Sequence, residues 1–131
     1  MKYLVMIYGN PRNWEHPMFR QDPGFLALSP EERDVVAREA DELWAEIEQS
    51  GEFVAGVALA DPALTRHVRG RDGVPVTTDG PYLEAKEQLA GYFVLDCETP
   101  ERAAELAARF PDARFAAVEV RPIMDMAGQE M

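Results

Sequence analysis

TDGPYLEAKEQLAGYFVLD, residues 78–96, is the stretch on which the fold turns. Asp79-Gly80 tolerates the positive φ of a sharp reversal, and Pro81 sets the next φ near about −65°. Behind the turn stand Glu84, Lys86 and Glu87, and then Leu89-Ala90-Gly91-Tyr92-Phe93-Val94-Leu95, an apolar run that predicts a buried strand. The reversal therefore hangs a carboxylate, a phenol and an ion cluster on the mouth of a sheet, a common place for ligand sites.

Working outward, residues 2–8 predict a strand that is apolar on both faces, with Tyr3, Val5 and Ile7 on one and Leu4, Met6 and Tyr8 on the other. Residues 9–28 hold Pro, Asn and Gly together with Trp14, Phe19 and Phe25, so a long packed loop is expected. Ser29-Pro30-Glu31-Glu32 combines an N-cap serine, proline at the first helical position and glutamate at the third. Val36, Ala40, Leu43, Trp44 and Ile47 continue at helical spacing to Ser50-Gly51. Strands follow at residues 53–59 and 65–69, with a turn at Asp72-Gly73 and a short extended piece at 74–77. Thr99-Pro100-Glu101 opens a second helix with Ala103, Leu106, Ala107 and Phe110 as its buried stripe, stopped by Pro111. Residues 115–121 predict the last strand, and residues 123–131 a loosely held tail.

The order is β-α-β-β-(β)-α-β: an α+β domain with an antiparallel sheet and both helices on one face. Two helices leave the other face bare, and an apolar face of several hundred Å² is too large to stand in water. A second copy of the chain, sheet against sheet, is the simplest cover.

The 131 residues make one domain. Thirteen basic against twenty-four acidic residues leave a formal net charge of −11, which argues against nucleic-acid and anionic-membrane partners. Cys97 stands alone, flanked by Asp96 and Glu98, so no intrachain disulfide forms and an inert thiol is expected. The apolar N-terminus is too short to span a membrane and has no cleavage pattern, so a cytoplasmic location is expected.

The 78–96 stretch resembles the DGPF segment of the YCII-related family, whose members carry a close variant of Asp-Gly-Pro-aromatic followed by Glu-x-Lys-Glu. Here these are Asp79-Gly80-Pro81-Tyr82 and Glu84-Ala85-Lys86-Glu87, and Glu119-Val120-Arg121-Pro122 resembles the family's ending. The resemblance implies a ferredoxin-like βαββαβ fold that pairs as a dimeric α+β barrel. Relatives of the DGPF type resemble domains found together with sigma factors, which implies a regulatory alternative to catalysis. Some relatives are thought to use a histidine on the first helix, but this chain has none between Ser29 and Ser50.

Asp79 is the candidate catalytic group: a carboxylate beside a tight turn and apolar walls can act as acid or base. Its structural role would be to accept N–H bonds from its own turn. Lys86 is the candidate for holding a small anionic or polar ligand, oriented by Glu87 or Glu84, and Tyr82 either stacks on the ligand or plugs the barrel mouth. Glu119 and Arg121 alternate with Val118 and Val120, on one face with Phe115 and Ala117. If that face points inward they line the cavity as a pair; if outward they are a solvated strand face. Arg66, His67, Arg69 and Arg71 form a basic stripe, ordinarily a protected edge strand, in which His67 could titrate. His16 is expected to pack within its loop. No metal-ligand spacing, phosphate loop or nucleophile elbow is seen, and no cofactor is expected. These residues fit a cofactor-free lyase, isomerase or hydrolase, or else a non-catalytic binding dimer.

Overall fold

The computed structural model describes residues 1–82 and 85–131, so the expected part of Glu84 in the ion cluster lies outside the described residues. The elements in chain order are β1 (Lys2–Gly9), α1 (Pro23–Leu26), α2 (Pro30–Ser50), β2 (Phe53–Ala58), β3 (Arg66–Arg71), β4 (Val74–Asp79), β5 (Gln88–Asp96), α3 (Pro100–Ala108), α4 (Pro111–Phe115) and β6 (Glu119–Pro122). The architecture is α+β with antiparallel sheets.

Helix α2 begins where its capping residues dictate. Ser29 Oγ accepts the Glu32 N–H at 3.2 Å, and Glu32 Oε1 accepts the Ser29 N–H at 3.1 Å. It ends at Gly51, whose φ of 78° is the left-handed cap that glycine adopts without strain. Its stripe of Val36, Leu43 and Ile47 is buried. Trp44 adds edge contacts to Phe53, Phe93 and Phe110, with ring centroids 5.0–5.7 Å apart.

Four strands form the main sheet in the order β2-β5-β1-β6, every pair antiparallel. Tyr3, Val5 and Ile7 are buried in one cluster with Leu43, Ile47, Ala103, Leu106 and Phe110, so this face carries the helices. The opposite face, called helix-free below, presents Leu4, Met6 and Tyr8, opposite Val94, Tyr92 and Leu89 of β5, and none of these six belongs to that buried cluster. At Gly91 a Cβ would run into the Val57 carbonyl oxygen, so the close approach of β2 to β5 requires glycine.

Three regions differ from the sequence reading. The predicted third strand and the extended piece after it pair with each other as a separate two-stranded sheet, β3-β4. Asp72 and Gly73, both at positive φ, close that hairpin. Pro111 does not merely stop a helix but starts α4, whose Phe115 packs on Phe19 and Phe25; the last strand is therefore confined to Glu119–Pro122, and Phe115 lies outside it. The tail, expected to be loose, is hydrogen-bonded. Lys2 donates its N–H to Met131 O at 2.7 Å, and Ile123 donates to Lys2 O at 2.9 Å.

Residues 9–28, called the strap below, hold short helical turns at Met18–Gln21 and Pro23–Leu26. Met18 and Phe25 are buried, and the indole N–H of Trp14 donates to the Leu59 carbonyl at 3.1 Å.

Candidate functional site

The residues picked out from sequence fall in three places. Asp79 ends β4, exposed and opposite Arg66, while Gly80, at φ 93°, donates its N–H to Thr65 O at 2.6 Å. Close by, His67 Nδ1 lies 3.3 Å from Thr78 Oγ1, and its ring centroid is 4.8 Å from that of Tyr82. Tyr82 is 69% exposed and edges an open cleft of about 350 Å³ with Leu64 and Leu89. Asp79 and His67 line neither this cleft nor the cavities described next.

Lys86 and Glu87 sit at the mouth of a cavity of about 300 Å³, where β1 ends and β5 begins, together with Tyr8, Asn10 and Phe19. Tyr8 connects this cavity to the helix-free face. Burial pushes its phenol pKa up, and a hydrogen bond to the Glu119 carboxylate pushes it further the same way. Glu119 and Arg121 lie opposite Met6 and Leu4 on the helix-free face, and both are exposed in the single chain.

The group that sequence reasoning missed is Asp112. It lines the Lys86 cavity and also a second one of about 380 Å³, walled mainly by Ile7, Pro17, Met18, Phe53 and Phe93. Burial raises its carboxyl pKa above the ordinary value. Its own backbone N–H, that of Phe19 and the charge of His16 pull in the other direction without cancelling the burial. The available clue was Pro111-Asp112 itself, a proline at the first helical position followed by an acid in the first turn.

His16 lines the same apolar cavity, with Nε2 2.7 Å from the Leu59 carbonyl oxygen. A carbonyl only accepts, so Nε2 carries the hydrogen and Nδ1 is the basic nitrogen of the neutral ring. A carboxyl held toward its protonated form and an imidazole of fixed tautomer thus share one apolar cavity. Such a pair can exchange protons with a small molecule. Among the described residues no three His, Cys, Asp or Glu side chains converge as a metal set. Cys97 is buried, and that burial together with the nearby Glu52 raises its thiol pKa, which disfavours the nucleophilic thiolate.

Residues 1–127 match the model of the YCII-related domain. The chain belongs to the YCII-related family. Within that family it is similar to an uncharacterised protein of Rhizobium meliloti (strain 1021), 28% identical over 99 residues that cover 74% of this chain and 80% of the relative. The match takes in both the Asp79 turn and the Asp112 cavity, since both lie within residues 1–127.

Proposed function

We propose that this YCII-related protein is an acid–base enzyme of the lyase, isomerase or hydrolase type, acting on a small molecule in the cavity beside Asp112. The carrying observation is the carboxyl of Asp112, raised in pKa by burial, facing the same apolar walls as His16. Asp112 serves as the proton-handling group and His16 Nδ1 as its counterpart, so proton transfer needs no cofactor. Lys86 and Glu87, at the mouth of the adjoining cavity, contact the polar end of the substrate. Asp79 shapes the turn.

The working unit is a homodimer that buries the helix-free sheet face, the pairing of a dimeric α+β barrel. The apolar row of Leu4, Met6, Tyr92 and Val94 supports it, and in that dimer Glu119 and Arg121 face the interior. The lone buried thiol suits a reducing cytoplasm.

Native mass spectrometry of the purified protein, followed by turnover assays on any retained metabolite, tests the reading. Asp112→Asn should keep the fold and lower turnover by about 10²–10⁴-fold, while Asp79→Asn stays close to the native rate. Full turnover by a folded Asp112→Asn variant would overturn the assignment. A ligand retained but never converted would favour the non-catalytic alternative, a small-ligand-binding dimer of the kind used in sigma-factor-type regulation.

A further inference from the structure

The β3-β4 hairpin contributes nothing to the buried cluster, and the chemistry proposed above gives it no role. All of its strand residues except His67 are exposed. A two-stranded hairpin with both faces in water is marginally stable alone, so this one calls for a covering surface. Residues paired across an antiparallel ladder share a face. One face therefore carries Arg69 opposite Val76, Arg71 opposite Val74, and His67 opposite Thr78. Val74 is 61% exposed and Val76 47%, so its apolar groups stand in water. That face does not end with the hairpin. His67 packs on Tyr82, Tyr82 shares its cleft with Leu64 and Leu89, and Leu89 lies opposite Tyr8 on the helix-free face. An apolar path thus runs from the main sheet onto the hairpin, flanked there by arginines.

Charge identifies the cover. Among the described residues the ion pairs of this chain belong to Arg102, Arg109 and the N-terminal amine, and the carboxylates they hold are Glu46, Glu52, Glu105 and Asp96. Arg66, Arg69 and Arg71 form none, even though Arg66 stands opposite Asp79 in the ladder. On a chain of net charge −11, most carboxylates are thus left without a cation while three neighbouring arginines are left without an acid. A second copy supplies both deficits at once. We infer that the hairpin is a dimer arm: Val74 and Val76 extend the apolar seam onto the second copy, and Arg69 and Arg71 reach its uncompensated carboxylates. The arm presupposes the homodimer proposed above and adds that the hairpin, not the sheet face alone, sets the strength of the pairing.

Two measurements on the full chain test it: sedimentation equilibrium at low and high salt, and isotope-filtered NMR on dimers mixed from carbon-13-labelled and unlabelled chains. The methyl groups of Val74 and Val76 should show cross-peaks to protons of the second copy. Arg69→Gln with Arg71→Gln should weaken the dimer at least about tenfold at low salt, and added salt should narrow the gap to the native chain. The charge-matched control Arg12→Gln with Arg38→Gln changes two exposed arginines outside the hairpin and should stay close to native affinity. Val74→Thr with Val76→Thr keeps the β-branched shape that suits a strand and should also weaken the pairing. Should the arginine variant fail to fold, the cross-peaks of the native chain decide alone. A native dimer without those cross-peaks, or one that both hairpin variants leave equally tight, overturns the arm while the sheet-face dimer stands. An arm that serves a different acidic protein would give that same result. A native chain that sediments as a monomer overturns the arm and the homodimer together.

Discussion

The imidazole of His16 is tied to the backbone carbonyl of Leu59, the residue that follows β2, at 2.7 Å from Nε2. The same oxygen accepts the indole N–H of Trp14 at 3.1 Å, so one acceptor pins two rings of the strap beside the apolar cavity. This pinning selects the tautomer. Nitrogen-15 NMR at a pH where the ring is neutral should therefore find the hydrogen of His16 on Nε2. A dominant Nδ1–H form would remove His16 from the proposed chemistry. His16→Ala should also speed amide exchange in residues 14–20 while leaving the exchange of β1 and β5 unchanged.

Asp112 predicts a pH dependence opposite to that of Glu52. Its folded pKa lies above the unfolded value because burial penalises the charged form, so the folded state holds the proton more tightly. The stability contributed by that proton is fully present below the unfolded pKa and is lost as pH rises through the folded pKa. Glu52 has the reverse sign. Hydrogen bonding to Arg102 lowers its pKa, so its contribution is present above the unfolded pKa and lost as pH falls through the folded one. Asp112→Asn should accordingly gain stability relative to the native chain at neutral pH and lose that advantage in acid. Urea unfolding at both pH values measures it, and an advantage that grows toward acid would contradict the burial of Asp112.

Glycine at position 91 is required by backbone proximity rather than by a turn. A methyl group there would meet the Val57 carbonyl oxygen, which belongs to a paired strand and cannot rotate away. Gly91→Ala should cost about 1–3 kcal/mol in unfolding free energy, the usual range for overpacking. A loss below the error of the measurement would mean that β2 is free to shift at the sheet edge.

The parts of the fold legible in sequence are those set by short-range chemistry. Ser29, Pro30, Glu32 and Gly51 delimit α2 because each meets a local need of the helix ends. The apolar alternation on both faces of residues 2–8 identified a strand, and in the sheet β1 lies between β5 and β6. Pro111 misled because a proline that ends one helix is equally suited to start the next, and Phe110 serves as the N-cap between them. The hairpin β3-β4 was read as part of the main sheet because pairing partners are a tertiary property. Asp112 was missed for a related reason. Burial raises its pKa only once the strap and the β2-β5 pair have closed around it, whereas Asp79 attracted notice through a turn motif that leaves it exposed.

Two adjacent residues of β5 separate the proposed dimer interface from the core. Val94 lies on the helix-free face, opposite Leu4 on β1 and Ala55 on β2. Leu95 points the other way, fully buried against the helices. Leu95→Ala should destabilise the fold by about 2–5 kcal/mol through the cavity it leaves. Val94→Lys removes nothing from that cluster, but in a dimer burying more than roughly 1,000 Å² it would place two unpaired charges in the seam. Sedimentation equilibrium at micromolar concentration should therefore give a dimer for the native chain and a folded monomer for Val94→Lys. If the native chain sediments as a monomer, the helix-free face stands open to water. The association of Tyr8, Glu119 and Arg121 would then be a surface feature, with no cavity of its own to serve.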